Sequence, residues 1–600
     1  MKTIQLLRKE LNALSVKSIQ IVCTGALLLL IPNLFQISVA QEKNTSPEKV
    51  APSEKGTAAA TAPAATPEEQ PYQSPWKKDG IPTDYLKNIL LPAEQTKAVS
   101  KNQKAWVTDY LRVGLLVRPR FEAKDNGDFN KKTDDSYQFT GQTSQVWFLL
   151  DPSPYYTIKV TIQDMRVWGG TQSASVGDNR RYAFAEAGTQ FGNPGDKGVA
   201  QNNTFLREGW VLLKNLPVPV NVQIGRMAFT YGDQRMIGVA NWLHNALSFD
   251  GVRFIYESDL LSLHAFATQI TEQTNGPNGL LTANGTKNGS INDSYFYGTY
   301  NSIKTKPIWI DLYAISYSKK WLPAPGAVTT QDRLRQQDNI NIAGFRITNR
   351  TVNGQTIAKE DRWDWTFESA WQYGSTGLRT TDDWYFQGVK SGGKDVGTKN
   401  QYYSGQFHYF STGYKVLDSL RLGVQYSYAS GDRNRTDASA SGWNNLFMPR
   451  HSTFNPWNNI NGQAEMVGWS NARSYSFHIN YKTEKMGEFM FVAWDHYKAA
   501  AQDAWYSAGG GQQKGLSTED PSNNPWNRKT TLGRRLLLEY DFTWIYTWHD
   551  NVSIWAGFSL MKAQDAIRNI RNNASDPNPD NRYTFDGTAK FYYLMVAASF

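Results

Sequence analysis

From about residue 107 to its end the chain repeats one pattern. Stretches of roughly ten residues alternate polar with apolar or aromatic side chains, and turns separate them. Leu420, Leu422, Val424, Tyr426 and Tyr428 alternate with Arg421, Gly423, Gln425, Ser427 and Ala429. Val552, Ile554, Ala556, Phe558 and Leu560 alternate with Ser553, Trp555, Gly557 and Ser559, and Tyr156, Ile158, Val160 and Ile162 with Thr157, Lys159, Thr161 and Gln163. A period of two gives each strand one apolar and one polar face. The apolar face must meet either a protein core or lipid, and alternation alone does not choose.

The connections choose. The pattern predicts strands near 110–122, 137–150, 155–168, 204–213, 218–227, 248–257, 260–269, 293–303, 308–319, 339–349, 361–374, 401–411, 418–429, 472–482, 488–498, 531–543, 550–562 and 590–600. Short turns such as Asp151-Pro152-Ser153-Pro154 and Ser258-Asp259 follow even-numbered strands, whereas most odd-numbered strands are followed by much longer loops. The connection 350–360, after the tenth strand, is longer than the alternation asks. Short turns at one rim and long loops at the other are how outer-membrane barrels are built. The expected fold is therefore all-β: a single transmembrane antiparallel β-barrel of about eighteen strands, with sixteen as the alternative. Its short turns would face the periplasm and its long loops the exterior.

Composition fits that architecture. The 600 residues include 21 Trp, 31 Tyr and 28 Phe, yet mean hydropathy is −0.55. Outward aromatics in interfacial girdles reconcile the two. Trp363, Trp365, Phe367, Trp371 and Tyr373 share one parity and should face lipid. Tyr592, Leu594, Val596, Ala598 and Phe600 alternate up to a terminal Phe, which resembles the signal by which barrel-insertion machinery recognises its clients.

Residues 1–40 read as a secretory signal peptide. Lys2, Arg8, Lys9 and Lys17 precede or flank an apolar run from Ile19 to Ile31, and Ser38-Val39-Ala40 supplies small residues for cleavage. Cys23, the one cysteine, lies in that run, so the mature chain would have none, and a disulfide scaffold is excluded. Residues 41–106 are expected to be a flexible periplasmic tail, rich in Ala, Pro and Thr as far as Lys78, with room for a short helix over 81–98. Residues 107–600 form the barrel. The destination is the outer membrane of a diderm bacterium, with outer-membrane lipid as a partner.

Strand parity assigns inward residues, because a charge on the lipid face costs about 2–4 kcal/mol at the midplane. Arg112, Arg118, Arg120, Glu122, Lys159, Arg253, Arg346, Asp364, Glu368, Arg421, Arg535, Glu539 and Asp541 are the lumen-lining candidates. Cations exceed acids among them, which would favour anions unless neighbours simply neutralise one another.

Two segments go beyond barrel grammar. The first runs Gly225-Arg226, Tyr231-Gly232-Asp233-Gln234-Arg235-Met236-Ile237-Gly238, Trp242, then Ser248-Phe249-Asp250-Gly251-Val252-Arg253. The second is Tyr428-Ala429-Ser430-Gly431-Asp432 followed by Asn445-Leu446-Phe447-Met448-Pro449-Arg450-His451. Together they resemble the alginate-export family of outer-membrane proteins over about residues 107–600. The resemblance implies an eighteen-stranded barrel whose lumen admits a polyanionic polysaccharide. By their own chemistry, Tyr231, Asp233, Arg235, Asp250 and Asp432 are loop anchors at the barrel rim, and these two long loops are the ones expected to fold inward.

Other functions find little support. The histidines, His244, His264, His408, His451, His478, His496 and His549, form no H-x-x-x-H pair, and no G-x-S-x-G elbow occurs. No catalytic residue, metal or cofactor is expected, and no basic block points to nucleic acid. The expected function is a porin-like channel for hydrophilic solutes, with anions favoured. Export of an alginate-like exopolysaccharide and a surface adhesin with a closed lumen are the alternatives.

Overall fold

The computed structural model describes residues 72–75, 106–132, 136–168, 203–239, 241–242, 244, 247–271, 294–319, 338–351, 356–358, 360–379, 390–391, 394–395, 400–433, 437–447, 461–506, 533–549, 551–572 and 583–599. The signal peptide, the 81–98 helix, Met448 to His451 and Phe600 lie outside these residues. The chain divides into two units, 1–73 and 74–600. The first has only Tyr72 and Gln73 described. The second carries the barrel.

Eighteen barrel strands run in chain order. They are β1 (Leu111–Asp125), β2 (Tyr137–Ser153), β3 (Tyr156–Val167), β4 (Asn203–Leu213), β5 (Asn221–Met227), β6 (Phe249–Glu257), β7 (Leu261–Thr271), β8 (Ser294–Lys304) and β9 (Trp309–Lys319). Then follow β10 (Asp338–Thr348), β11 (Trp363–Arg379), β12 (Gln406–Leu417), β13 (Leu420–Ala429), β14 (Ala472–Thr483), β15 (Gly487–Tyr497), β16 (Arg535–His549), β17 (Val552–Ala563) and β18 (Thr588–Ser599). Each pairs antiparallel with its neighbours, and β1 closes on β18 from Leu116↔Ser599 to Asp125↔Lys590. Closure leaves no edge strand, so backbone donors and acceptors in the wall are satisfied where no water can reach them.

Expected and observed strand bounds differ by a few residues at several ends, and two of these differences have clear local reasons. β5 starts at Asn221 rather than 218, because Pro217 and Pro219 have no N–H for the ladder. The twelfth strand, expected from 401, is two pieces. Asn400–Tyr403 pairs with the outer part of β11, and the barrel strand begins after Ser404-Gly405, at Gln406. A short helix, α1 (Asp565–Arg571), lies in the connection after β17 and buries Ile567 and Ile570. No helix among the described residues is long and apolar enough to cross a membrane.

The outer face follows the alternation. On β11, Trp363, Phe367, Trp371 and Tyr373 are exposed, while Asp364, Thr366, Glu368 and Gln372 between them are buried. The inner face departs from the expectation of a polar lumen. Phe249, Phe266, Phe296, Tyr300, Tyr313, Phe407, Tyr409 and Trp494 point inward and are buried. They have partners there because connecting segments fill part of the interior, as described next.

Candidate functional site

β5 has seven residues, and the chain leaves it at Met227 and turns into the lumen. Segment 228–248 then crosses the barrel. Phe229 stacks on Phe249 with ring centres 4.9 Å apart, and Tyr231 stacks on Tyr300 at 4.7 Å. Gly232 and Gln234 have positive φ, 51° and 62°, and make the bend. A Cβ at Gly232 would overlap the Tyr300 hydroxyl, so glycine is required there on both counts.

At that bend the segment meets the wall β8–β12 through ions. Asp233 pairs with Arg346 at 2.7 Å, and the same guanidinium pairs with Asp311 at 2.7 Å. Arg235 pairs with Asp233 and with Glu368, each at 2.5 Å, and lies 3.7 Å from the Tyr409 ring centre. Tyr300 and Tyr313 donate to Asp311 and Glu368. Burial alone would raise the Asp233 carboxyl, but Arg346 and Arg235 outweigh it and hold it well below the usual carboxylate range. Burial likewise works against the Arg235 charge, and Asp233 and Glu368 overcome it, so its pKa rises.

The segment's tip meets the opposite wall, β1–β4, through neutral acceptors. Arg118 Nη1 donates to the Asn241 carbonyl at 2.7 Å and Arg120 to that of Trp242. Arg207 donates to Asn241 Oδ1, and at 2.7 Å to Gln163. Gln163 Nε2 donates to the His244 carbonyl at 2.6 Å, and Thr143 Oγ1 lies 2.9 Å from His244 Nδ1. Burial, then the charges of Arg120 and Arg118, push the His244 imidazole well below its ordinary value and keep it neutral.

A second segment, within 430–471, joins the first. Ile237 bridges to Phe447, whose ring lies 4.4 Å from Phe296 and 5.3 Å from Phe249. Further on, the N–H groups of Gln463 and Ala464 donate to Asp541 at 3.1 Å and Glu539 at 2.8 Å, and Lys124 donates to the Ala464 carbonyl at 2.7 Å. Both segments expected to fold inward therefore occupy the lumen, bound to its inner wall rather than to the rim.

The inward candidates hold the wall together and hold these segments. Lys159 pairs with Glu208 at 2.8 Å, Arg120 with Glu122, and Arg421 and Arg350 share Asp364 at 2.6 and 2.5 Å. Arg253 donates to Gln223 beneath Phe229, and Arg112 lies half-buried 5.5 Å from the Trp147 ring centre. Arg535 requires correction. A register irregularity beside it buries both Leu536 and Leu537, and Arg535 stays partly exposed, paired with Asp495 at 2.9 Å on the outer face. Asp250 also faces outward and pairs with Arg226 at 2.6 Å, bracing the stems of the first segment rather than its inner part. Asp432 lies at the base of the second segment, its N–H donating to Asp503 Oδ2 at 2.7 Å.

Strand parity misses Arg207 and Glu208. Opposite Thr161 and Ile162 the pairing skips from Glu208 to Leu206, and this bulge turns both Arg207 and Glu208 inward. No periodic signal marks a bulge. Asn241 and His244 are missed for another reason: they act from an irregular segment to which parity does not apply.

The family model described as alginate export matches residues 109–578. Among solved structures the chain is similar to Acinetobacter baumannii OccAB1 (11% identity, 83% of this chain and 98% of that one, TM-score 0.46). It is similar also to Pseudomonas aeruginosa OccK8 (OprE) (10%, 82% and 98%, TM-score 0.44) and to Pseudomonas aeruginosa OpdK with vanillate (10%, 82% and 98%, TM-score 0.42). No curated protein matches the chain significantly.

Proposed function

The chain belongs to the alginate export family of outer-membrane β-barrels, and from that premise we propose that it is a channel for hydrophilic solutes that favours anions. One observation carries the reading: a segment spans the lumen and narrows it on the side where Arg118, Arg120, Lys159 and Arg207 outnumber Glu122 and Glu208. An eighteen-stranded barrel is wide, and infolded segments turn such a bore into a filter. A cationic constriction attracts anions by replacing lost hydration with charge-assisted hydrogen bonds. The family's name makes an alginate-like polysaccharide the second reading. Its length would have to thread the same constriction.

Planar-bilayer conductance with reversal potentials tests this, with wild type set against Arg112→Ala, Arg118→Ala and Arg120→Ala. Wild type should prefer anions, and each substitution should reduce that preference. Absence of conductance, persisting after removal of 240–246, would remove the channel reading. A cation preference would remove the basic-constriction argument. Block of the current by alginate, without block by a neutral polymer of equal length, would favour the polysaccharide.

A further inference from the structure

Some charges at the loop-bearing rim point outward. Arg166 near the end of β3 binds Asp164 at 2.7 and 3.0 Å, and Arg226 near the end of β5 binds Asp250 at 2.7 and 2.6 Å. Each guanidinium there has its own carboxylate, and the pairs show lipid no net charge. The outer face of β14–β18 differs. At the same rim it carries Arg473, Arg535, Lys562 and Lys590, and Asp495 is the one outward carboxylate among the described residues of those strands. Asp495 is already taken: Arg535 donates to it at 2.9 and 3.0 Å and the Tyr497 hydroxyl at 2.9 Å. Among the described residues no carboxylate pairs with Arg473, and its Nε is buried without an acceptor. A ring holds it instead. Tyr497 lies between Arg473 and Arg535 in the ladder, its ring centre 5.2 Å from the first guanidinium and 5.9 Å from the second. Stacking of this kind favours the cation and fixes its plane.

We propose that Arg473, held by Tyr497 and flanked by Arg535, is the centre of an outward-facing site for the phosphate of an anionic lipid headgroup at the exterior rim. The site lies outside the lumen and holds whether or not the barrel conducts. Its height on the wall carries the choice of a lipid. Arg473 is the second residue of β14, and Tyr475 and Phe477 follow it on the same face, both exposed. Interfacial tyrosines sit at headgroup level, so the guanidinium stands among headgroups and the apolar residues beneath it among acyl chains. A lipid phosphate meets the planar fork of Arg473, which suits bidentate binding, while its chains lie on exposed Val424, Phe477 and Phe491. Lys562 and Lys590, on the strands beyond Arg535, extend the positive field along the rim. A free phosphate would gain the charge alone.

Lipid retention by the purified barrel in a neutral detergent tests the site. Phosphatidic acid is the probe, and phosphatidylcholine with the same chains, whose phosphate is balanced by its own choline, is the control. Native mass spectrometry reads the lipids bound per barrel. Wild type should retain phosphatidic acid at concentrations where phosphatidylcholine washes off. Arg473→Gln should weaken that retention about tenfold, the loss of one charge-assisted contact. Arg166→Gln, at a guanidinium already paired on the outer face, should leave it unchanged. Asp495→Asn releases Arg535 and should tighten retention several-fold, a gain that a purely structural role for these residues would not produce. Shifted mobility on unheated gels shows that each variant is folded. Equal retention of the two lipids would overturn the proposal, as would full retention by Arg473→Gln or weaker retention by Asp495→Asn. Displacement of phosphatidic acid by an equal concentration of inorganic phosphate would also overturn it, because the site would then serve a soluble anion.

Discussion

Asp233 is the residue on which most of the interior converges, since it joins Arg235 of its own segment to Arg346 of the wall. Removing one partner from a buried ionic network costs about 3–5 kcal/mol, because the others stay buried without their counter-charge. Asp233→Ala is therefore expected to free segment 228–248 while the wall, paired strand to strand, stays closed. Limited proteolysis should cut within 228–248, and the folded barrel should keep its shifted mobility on unheated gels. Acid should reach the same end by two steps. His244 is held neutral, so its folded pKa lies below its unfolded value near 6.5. Between those values the undocked state binds the extra proton, and docking weakens as pH falls from about 6.5, by at most about 1.4 kcal/mol per pH unit. Asp233 is held ionised, so its contribution is full above about 3.9 and is lost as pH falls below that. Proteolysis followed against pH should show both steps, and His244→Gln should abolish the upper one alone. If acid protects the segment from cleavage, both assignments are wrong. The conspicuous charges of this segment were legible in the sequence, whereas the Asn241, Trp242 and His244 contacts were not, because a backbone carbonyl carries no residue signature.

At the scale of the strand, alternation was enough to place all eighteen, because the lipid face and the inner face differ in solvent and a slip by one residue exchanges them. β13 shows how sharply: Val424 is exposed at mid-strand and Gln425 beside it is buried inward. Val424→Arg should cost about 2–4 kcal/mol, as for a cation at the bilayer midplane. A charge placed one residue along, Gln425→Arg, meets Tyr409 and the inner wall instead and escapes the lipid penalty. Urea unfolding in lipid vesicles should separate the two, and equal losses would refute the parity of this strand. Alternation failed where the backbone skips a residue, at Arg207–Glu208 and again at Arg535. It also misjudged the inner face. A strand sequence reports that Phe266 and Phe296 lie on the side opposite the lipid-facing residues, but not that Phe229 and Phe447 arrive to cover them.

At the scale of the molecule, the barrel holds two kinds of structure with different sources of stability. The wall depends on a closed ladder of backbone hydrogen bonds running from β1 through β18 and back to β1. The interior depends on side chains, in a buried cluster that joins Phe229, Tyr231 and Ile237 of one segment to Trp443, Phe447 and Trp469 of the other and to the inward aromatics of the wall. No ladder hydrogen bond between wall strands passes through either segment, so the interior can come apart while the wall remains. Parts of one protein held by different kinds of interaction can open at different free energies, as separate cooperative units. Denaturation in vesicles should therefore show two transitions, loss of near-ultraviolet dichroism from packed aromatics first and loss of strand signal in the far ultraviolet later. Phe447 contacts Phe249, Phe296 and Tyr317, so Phe447→Ala removes buried area at the centre of the cluster and should cost about 3–5 kcal/mol there. That loss should move the first transition and leave the second in place. Coincident transitions, or a second transition displaced along with the first, would show that the wall leans on its contents.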